Sequence, residues 1–536
     1  MLRFLLSFLF LAAVAGTRAA EVSVIPLPAG NLETQGELLL PLDAPVKAPA
    51  TPAGERAVRL VVEALGGNVR RTENKGGPGV VFEPAADTKD EEAYTLEITP
   101  NGARIRGGEA GLCYGATTLA QLIAKAPRDG GHFRLQCRTI TDAPRFGWRG
   151  FMLDESRYFA GEQEVKRLLD AMARYKLNRF HWHLTDSPGW RIEIEGYPAL
   201  TTIGGRGNEA DPEGKGEAEF YTKDQIRSIV RYARERNIVV IPEIDMPGHA
   251  DAAVRAYPEL GGGGYKKPAE PLKWPRFTYN PGSPAVWEFR AKVFQEVAEL
   301  FPEAGMIHFG GDEVHFGWGG WSSLPEVRGL MQRENLPDNA GVEGWFVRDT
   351  ASLIRRMGLK AGGWDEIAAQ GLPVDGTVVF WWRHDQPQVL QNALQRGYPV
   401  VLCPRRPLYF DFIQHESHKS GRTWKGFNPL ADVYGFPDAL GLTAEQESKV
   451  LGMQACLWTE NAATTRRREF LTWPRLIAMA EAAWTPRERK DLASFEDRLR
   501  AELPVLRTGG VVPYDPFANS PEVTDEGANA THLDHP

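Results

Sequence analysis

Two neighbouring carboxylates, Asp312 and Glu313, follow a Gly-Gly step in the run His308-Phe-Gly-Gly-Asp-Glu313. Paired glycines permit an unusual turn and a close approach of the backbone. If strand geometry persisted through the run, the two carboxylates would point in different directions. That arrangement is poor for an acid and a nucleophile, which must flank one bond. A division of labour fits better: one carboxylate protonates a leaving oxygen, and its neighbour holds a group belonging to the substrate.

Other runs of the same form carry further polar and aromatic residues at the ends of short apolar stretches. Arg149-Gly-Phe-Met-Leu-Asp154 is followed by Arg157. His181-Trp-His-Leu-Thr-Asp186, Pro242-Glu-Ile-Asp-Met-Pro-Gly-His249 and Gly363-Trp364-Asp-Glu366 come next. Trp381-Trp382, then Tyr409 and Asp411, then Trp458-Thr-Glu460 complete the set. Aromatic faces stack on the apolar face of a pyranose ring, and carboxylates with Arg fix hydroxyls through charge-assisted hydrogen bonds. The combination points to carbohydrate chemistry. One rival is a metal-dependent, amidohydrolase-type barrel, because His181-Trp-His183 places two imidazoles on one strand face. No clear third and fourth ligands follow, so no metal or cofactor is assigned. A sugar-binding protein without turnover is the other rival; it needs aromatic walls but not the adjacent acids.

The elements that must position these residues follow from periodicity. Strands are expected at Arg149–Leu153, Arg179–Leu184, Ile238–Ile244, Met306–Gly310, Lys360–Gly363, Val378–Trp381, Pro399–Cys403 and Gly452–Leu457. Helical patterns lie between most of them, at Glu162–Tyr175, Thr222–Arg236, Pro284–Leu300 and Gly344–Met357. Eight such strands predict an α/β (β/α)₈ TIM barrel over residues 144–504, with loops after the strands building the active face. Long insertions are expected at Gly204–Glu219, Gly261–Thr278 and Leu408–Gly435. An open doubly wound sheet fits less well, because no Gly-rich dinucleotide motif follows the first strand. Residues 21–143 read as a small α+β domain, with strands at Val80–Glu83, Tyr94–Ile98 and Ala103–Ile105 and a helix at Gly115–Ile123. Residues 505–536 read as a loosely held tail.

A chain of 536 residues with net charge −8 has no basic field for nucleic acid. Arg3, the apolar stretch Leu5–Val14 and small residues near Thr17–Ala20 read as a signal peptide over 1–20. The expectation is a secreted or periplasmic protein with no transmembrane segment after the signal. A single glycosylation sequon, at Asn529, favours a bacterial envelope. Cys113, Cys137, Cys403 and Cys456 lack metal or redox spacing and are expected as buried thiols. Oligomeric state is not legible.

These stretches resemble glycoside hydrolase family 20, the β-N-acetylhexosaminidases. The resemblance rests on Arg149-Gly-Phe-Met-Leu-Asp-Glu-Ser-Arg157, Phe180-His-Trp-His-Leu-Thr-Asp186, Gly189-Trp-Arg-Ile-Glu193, Pro242–His249, His308–Glu313 and Leu457-Trp-Thr-Glu460. Glu92–Leu96 and Gly115–Leu122 resemble the family's N-terminal domain. Family 20 is an exception to the two-carboxylate scheme, because the substrate assists its own cleavage. The resemblance implies Glu313 as general acid/base and Asp312 as the residue orienting the 2-acetamido group. It implies Tyr409 as donor to the acetamido oxygen, with Asp411 beside it, and Asp186 with His249 as a buried support for Glu313. Arg149 and Glu460 match residues gripping the outer hydroxyls. Trp364, Trp382 and Trp458 match aromatic walls, with Trp381 the rival for the second place and Trp424 a further wall. Ser187-Pro188 and Tyr158 depart from the family's usual residues.

Overall fold

In a computed structural model of the chain, the described residues are 22–67, 77–85, 90–263, 276–418, 420–424 and 426–518. The expected signal peptide, part of the Gly261–Thr278 insertion and the Asn529 sequon lie outside them.

Eight parallel strands close into a barrel: β1 (Trp148–Asp154), β2 (Arg179–His183), β3 (Val239–Glu243), β4 (Met306–His308), β5 (Lys360–Trp364), β6 (Thr377–Trp381), β7 (Val400–Leu402) and β8 (Val450–Leu457). Each pairs with its successor, and β8 returns to β1, with Gly452 opposite Trp148 and Leu457 opposite Leu153. All eight fall within two residues of their expected bounds. Apolar runs bounded by helical patterns identify buried parallel strands reliably, since both faces are covered. The four expected helices form at Glu162–Arg174, Lys223–Arg234, Pro284–Leu300 and Asn339–Arg356. Thr222 and Gln225 cap the second of these reciprocally. After β5 only a 3₁₀ turn, Asp365–Ala369, follows.

The period of two along each strand decides which side chains enter the barrel. On β2, His181 and His183 point inward, while Trp182 packs outside against Tyr221 and Phe301. Trp148, Met152, Ile241, Met306, Val378, Phe380, Val401 and Cys456 fill the interior. Trp364, Tyr409 and Trp458 cap it on the side where the strands end.

Ahead of the barrel, one sheet orders its strands Gly30–Pro41, His132–Asp142, Tyr94–Thr99, Gly102–Gly107, Gly79–Pro84 and Val46–Lys47. Helices Pro52–Ala64 and Glu109–Lys125 pack together and share its apolar core. The four cysteines are buried and unpaired. The C-terminal stretch departs from expectation. A helix continues through Pro504 to Thr508, and Tyr514 is buried against His418 and Phe470. No helix among the described residues is long and apolar enough to cross a membrane.

Arg149 is the main correction to the expected site. Its parity on β1 is outward, opposite to Trp148 and Met152, and it lies at the start of the strand, away from the active face. The fully buried guanidinium instead clamps the two halves of the chain together. It donates to Glu92 Oε1 at 2.8 Å and Oε2 at 3.0 Å, and to the Tyr114 hydroxyl at 2.8 Å. It also caps the carbonyls of Phe146 and Lys176, each at 2.8 Å. Beside it, Lys176 and Trp484 reach Asp142 at 3.1 and 3.0 Å. Removing one partner of such a buried pair strands the other charge and costs about 3–5 kcal/mol. Arg149→Met is therefore expected to lower the calorimetric unfolding temperature clearly while leaving ligand affinity in the barrel cleft intact. An unchanged melting temperature with weakened ligand binding would return Arg149 to the site.

Candidate active site

The backbone after β4 makes the site possible. Gly310 and Gly311 take φ of 70° and 89°, and a side chain at Gly310 would lie 1.8 Å from Asp245 Oδ1. The Gly311 N–H donates to that same oxygen at 3.3 Å. Glu313 also adopts a left-handed φ of 54°, a conformation costing on the order of 1–2 kcal/mol outside glycine. Strand geometry therefore ends at His308, and the expected divergence of the two carboxylates does not occur. Both converge on one ring. His249 Nε2 is 3.5 Å from Asp312 Oδ2 and 3.6 Å from Glu313 Oε2. Its Nδ1 faces Asp186 Oδ1 at 2.9 Å.

Burial and neighbouring charges act on the groups around the turn. Glu313 stands at the mouth with 38% of its side chain open. Burial of the rest raises its carboxyl above the ordinary range against the pull of His249, and the Asp312 charge adds to the rise. His249 is held well above the ordinary imidazole range; burial opposes this, but Asp186 and then Asp312 prevail. Asp186 goes the other way. Burial would raise it, yet Arg157, His249 and His183 hold it well below the carboxylate range. Asp312 is 8% exposed, and its Oδ1 has no partner among the described residues.

Across the cleft, a second charged group is built from β1, β8 and the β7 insertion. Arg157 Nη1 contacts Asp186 at 2.7 Å and Asp154 at 3.4 Å, and its Nη2 lies 3.8 Å from Glu460. Arg422 pairs with Asp411 at 2.5 Å and Glu460 at 3.1 Å. Burial pushes Asp411 up to about 6 despite Arg422, whereas Arg157 and Arg422 overcome burial to keep Glu460 low. Asp411 Oδ1 and Glu460 Oε2 are buried without a partner among the described residues. Buried polar atoms of this kind call for a ligand rich in hydroxyls and amides.

Aromatic rings line the space between. Trp364 and Trp458 meet at 5.7 Å, Tyr409 and Trp458 at 6.0 Å, and Trp382 lies parallel to Tyr409 at 6.4 Å. Strand parity chooses between the two candidate tryptophans: Trp381 faces the outer core, and Trp382 faces the cleft. The Glu366 carboxylate fixes Trp382 through its Nε1 at 3.0 Å, and Asp365 accepts from the Trp382 and Arg383 N–H groups. Trp424 is 40% exposed at the rim, under Arg422 at 4.3 Å.

The whole constellation has relatives. Residues 146–487 match the model of the glycosyl hydrolase family 20 catalytic domain, and residues 21–143 match that of glycosyl hydrolase family 20, domain 2. The chain belongs to glycoside hydrolase family 20. It is 36% identical over 441 residues to a β-hexosaminidase of Porphyromonas gingivalis, spanning 80% of this chain and 56% of that relative. A β-hexosaminidase of Vibrio furnissii is 32% identical over 484 residues, covering 87% of this chain and 77% of its own. A family 20 exo-β-N-acetylglucosaminidase of Vibrio harveyi, solved with N-acetylglucosamine, superposes with a TM-score of 0.84 at 32% identity. That superposition covers 92% of this chain and 79% of the other.

Within this family 20 chain, the structure brings Asp186, His249, Asp312, Glu313, Trp364, Trp382, Tyr409, Asp411, Trp458 and Glu460 to one cleft, with Trp424 at its rim. Arg149 is not among them; Arg157 occupies the position facing the carboxylates. The sequence carried a usable signal, since Arg157 follows the inward-facing Asp154 just past the end of β1. Glu243 was also missed. It sits inside the barrel with Oε2 at 2.6 Å from His183 Nδ1 and 3.0 Å from His181 Nε2. Its Oε1 accepts from Trp364 Nε1 at 2.9 Å and lies 2.9 Å from His308 Nδ1. Of the two imidazoles in the His181-x-His183 spacing, His181 meets Gln454 and His183 meets Glu243 and Asp186 through hydrogen bonds.

The tryptophan assignment can be checked directly. Trp382→Ala is expected to weaken binding of N-acetylglucosamine, the sugar held in the Vibrio harveyi structure, about 10–100-fold with little change in melting temperature. Trp381→Ala should instead cost about 3–5 kcal/mol of stability. The opposite pattern in calorimetric titration and thermal unfolding would reverse the two.

Proposed function

We propose that the protein is an exo-acting, retaining β-N-acetylhexosaminidase that removes terminal β-linked N-acetylglucosamine or N-acetylgalactosamine by substrate-assisted catalysis. The observation carrying this reading is the joint approach of Asp312 and Glu313 to His249. Oxygens of the two carboxylates and a His249 nitrogen lie within 4.8 Å of one another. An enzymic acid and nucleophile flanking a sugar ring need about 5–5.5 Å and opposite sides of the bond. Neighbours in one turn serve a different scheme.

In that scheme Glu313 carries the proton and gives it to the glycosidic oxygen. Asp312 accepts a hydrogen bond from the 2-acetamido N–H, so the amide oxygen gains electron density and points at the anomeric carbon. The Tyr409 hydroxyl donates to that oxygen and holds it in line. The anomeric carbon–oxygen bond breaks as the amide oxygen closes an oxazolinium ring, whose positive charge Asp312 balances. Glu313, now a carboxylate, takes a proton from water, and the water opens the ring from the face that the leaving group vacated. Trp364, Trp382 and Trp458 exclude solvent from the acetamido group. Arg157, Glu460 and Asp411 supply charged partners for the sugar's outer hydroxyls, which favours a chain end over an internal residue.

Release of the aryl alcohol from an aryl N-acetyl-β-glucosaminide tests the activity, and Glu313→Gln tests the acid. Positioned general acid catalysis contributes about 10²–10⁴-fold. The variant should lose that much on substrates with poor leaving groups and far less on those whose leaving group departs without a proton. Equal losses across the series would remove Glu313 from the donor role.

A further inference from the structure

His183 is buried inside the barrel with a carboxylate at each ring nitrogen. Nδ1 is 2.6 Å from Glu243 Oε2, and Nε2 is 3.0 Å from Asp186 Oδ2. A neutral imidazole has one N–H, so one of these contacts would set a lone pair against a carboxylate oxygen. With both carboxylates ionised, only the imidazolium satisfies both. Burial disfavours that charge, but Glu243 and then Asp186 outweigh it.

We propose that Glu243 and His183 form a positioning pair that sets the charge balance at Asp186 and His249, and through them the pH range in which Glu313 keeps its proton. The proposal rests on Glu313 being the proton donor. Asp186 is shared by three donors that carry or can carry positive charge: Arg157 at 2.7 Å, His249 at 2.9 Å and His183 at 3.0 Å. What Asp186 leaves for His249 therefore depends on the charge of His183. His249 in turn faces Asp312, Glu313 and Asp245. Glu313 faces His249, Asp312, Arg157 and Asp186. Glu243 is met by His181 and His308 besides His183, and it receives the Trp364 N–H. The rings of His183 and Trp458 also meet nearly at right angles, with centroids 4.9 Å apart. One carboxylate at the barrel centre thus fixes a wall of the acetamido pocket and one end of the chain leading to the acid.

The sign follows from distance. In Glu243→Gln the amide N–H₂ faces Nδ1, which becomes an acceptor, and His183 turns neutral. A cation beside Asp186 and an anion farther off are lost together, and the nearer charge dominates. The field at Glu313 becomes more negative, so Glu313 holds its proton to higher pH. His183→Gln removes the cation and leaves the Glu243 charge in place, so its effect has the same sign and is larger.

The test is the pH dependence of kcat/KM on an aryl N-acetyl-β-glucosaminide with a poor leaving group. The alkaline limb should move upward by about half to one pH unit in Glu243→Gln and further in His183→Gln. A limb left in place while rates fall uniformly overturns the proposal and makes the pair packing alone. Glu313→Gln with a good leaving group is the control. If its alkaline limb persists, the assignment of Glu313 as donor fails. If that limb vanishes but the other two variants leave theirs unmoved, only the present proposal fails. Should either variant not fold, nitrogen NMR of the full-length wild-type enzyme with labelled histidine decides. Two protonated ring nitrogens on His183 at pH 7–8 support the pair, and a neutral ring refutes it.

Discussion

The contact on which the site depends is the His249 imidazole, held by Asp186 at 2.9 Å and facing Asp312 and Glu313 at 3.5 and 3.6 Å. Two carboxylates confined in one pocket repel, and each raises the other's proton affinity. Here the conflict is useful, because the proposed roles require one acid protonated and the other charged. A cationic ring between them holds down the repulsion, and Asp186 holds down the cost of that cation in a buried place. Remove the ring, and the two acids would face each other with no cation between them.

Several unrelated parts of the fold exist to keep that ring where it is. The Asp245 side chain leaves room only for glycine at 310, which lets the chain turn sharply enough to aim both acids at His249. His249 pays for its place with a left-handed φ of 52°. Strand β2 supplies His183 from inside the barrel and Asp186 from its end, so the support is anchored in the rigid sheet rather than in a loop. Far from the cleft, the Arg149–Glu92 pair ties the turn before the Tyr94–Thr99 strand to the start of β1 and serves stability rather than the ring. Sites carried on rigid elements keep their geometry to the fraction of an ångström that catalysis requires.

Much of this arrangement was legible in the chain. Strand bounds, the order of the loops and the grouping of the acids follow from period and composition. The errors have a common origin in direction. The family resemblance places Arg149 at the sugar's outer hydroxyls, although a count of two along β1 turns it outward and brings Asp154 inward. The same count separates Trp382 from Trp381. The convergence of Asp312 and Glu313 could not be read, because it depends on Gly310 and Gly311 before Asp312 and Glu313 after it taking positive φ in the turn. Glu243 was hidden for another reason: its partners His183, His308 and Trp364 arrive from three different strands, and only the closed barrel brings them together. The stretch after Pro504 looked unpatterned, yet Tyr514 finds an apolar seat that no local sequence feature announces.

The central claim is that the substrate's own amide oxygen attacks the anomeric carbon. The most direct measurement is kcat/KM across aryl β-glucosaminides whose N-acetyl group carries zero, one, two or three fluorines. Fluorine withdraws electrons from the carbonyl and weakens it as a nucleophile while changing its size little. The account predicts a steep, continuous fall in rate with each fluorine, with the trifluoroacetyl substrate barely cleaved although it still binds. A rate insensitive to fluorination would mean that the amide does not attack, and the division of roles between Asp312 and Glu313 would be wrong.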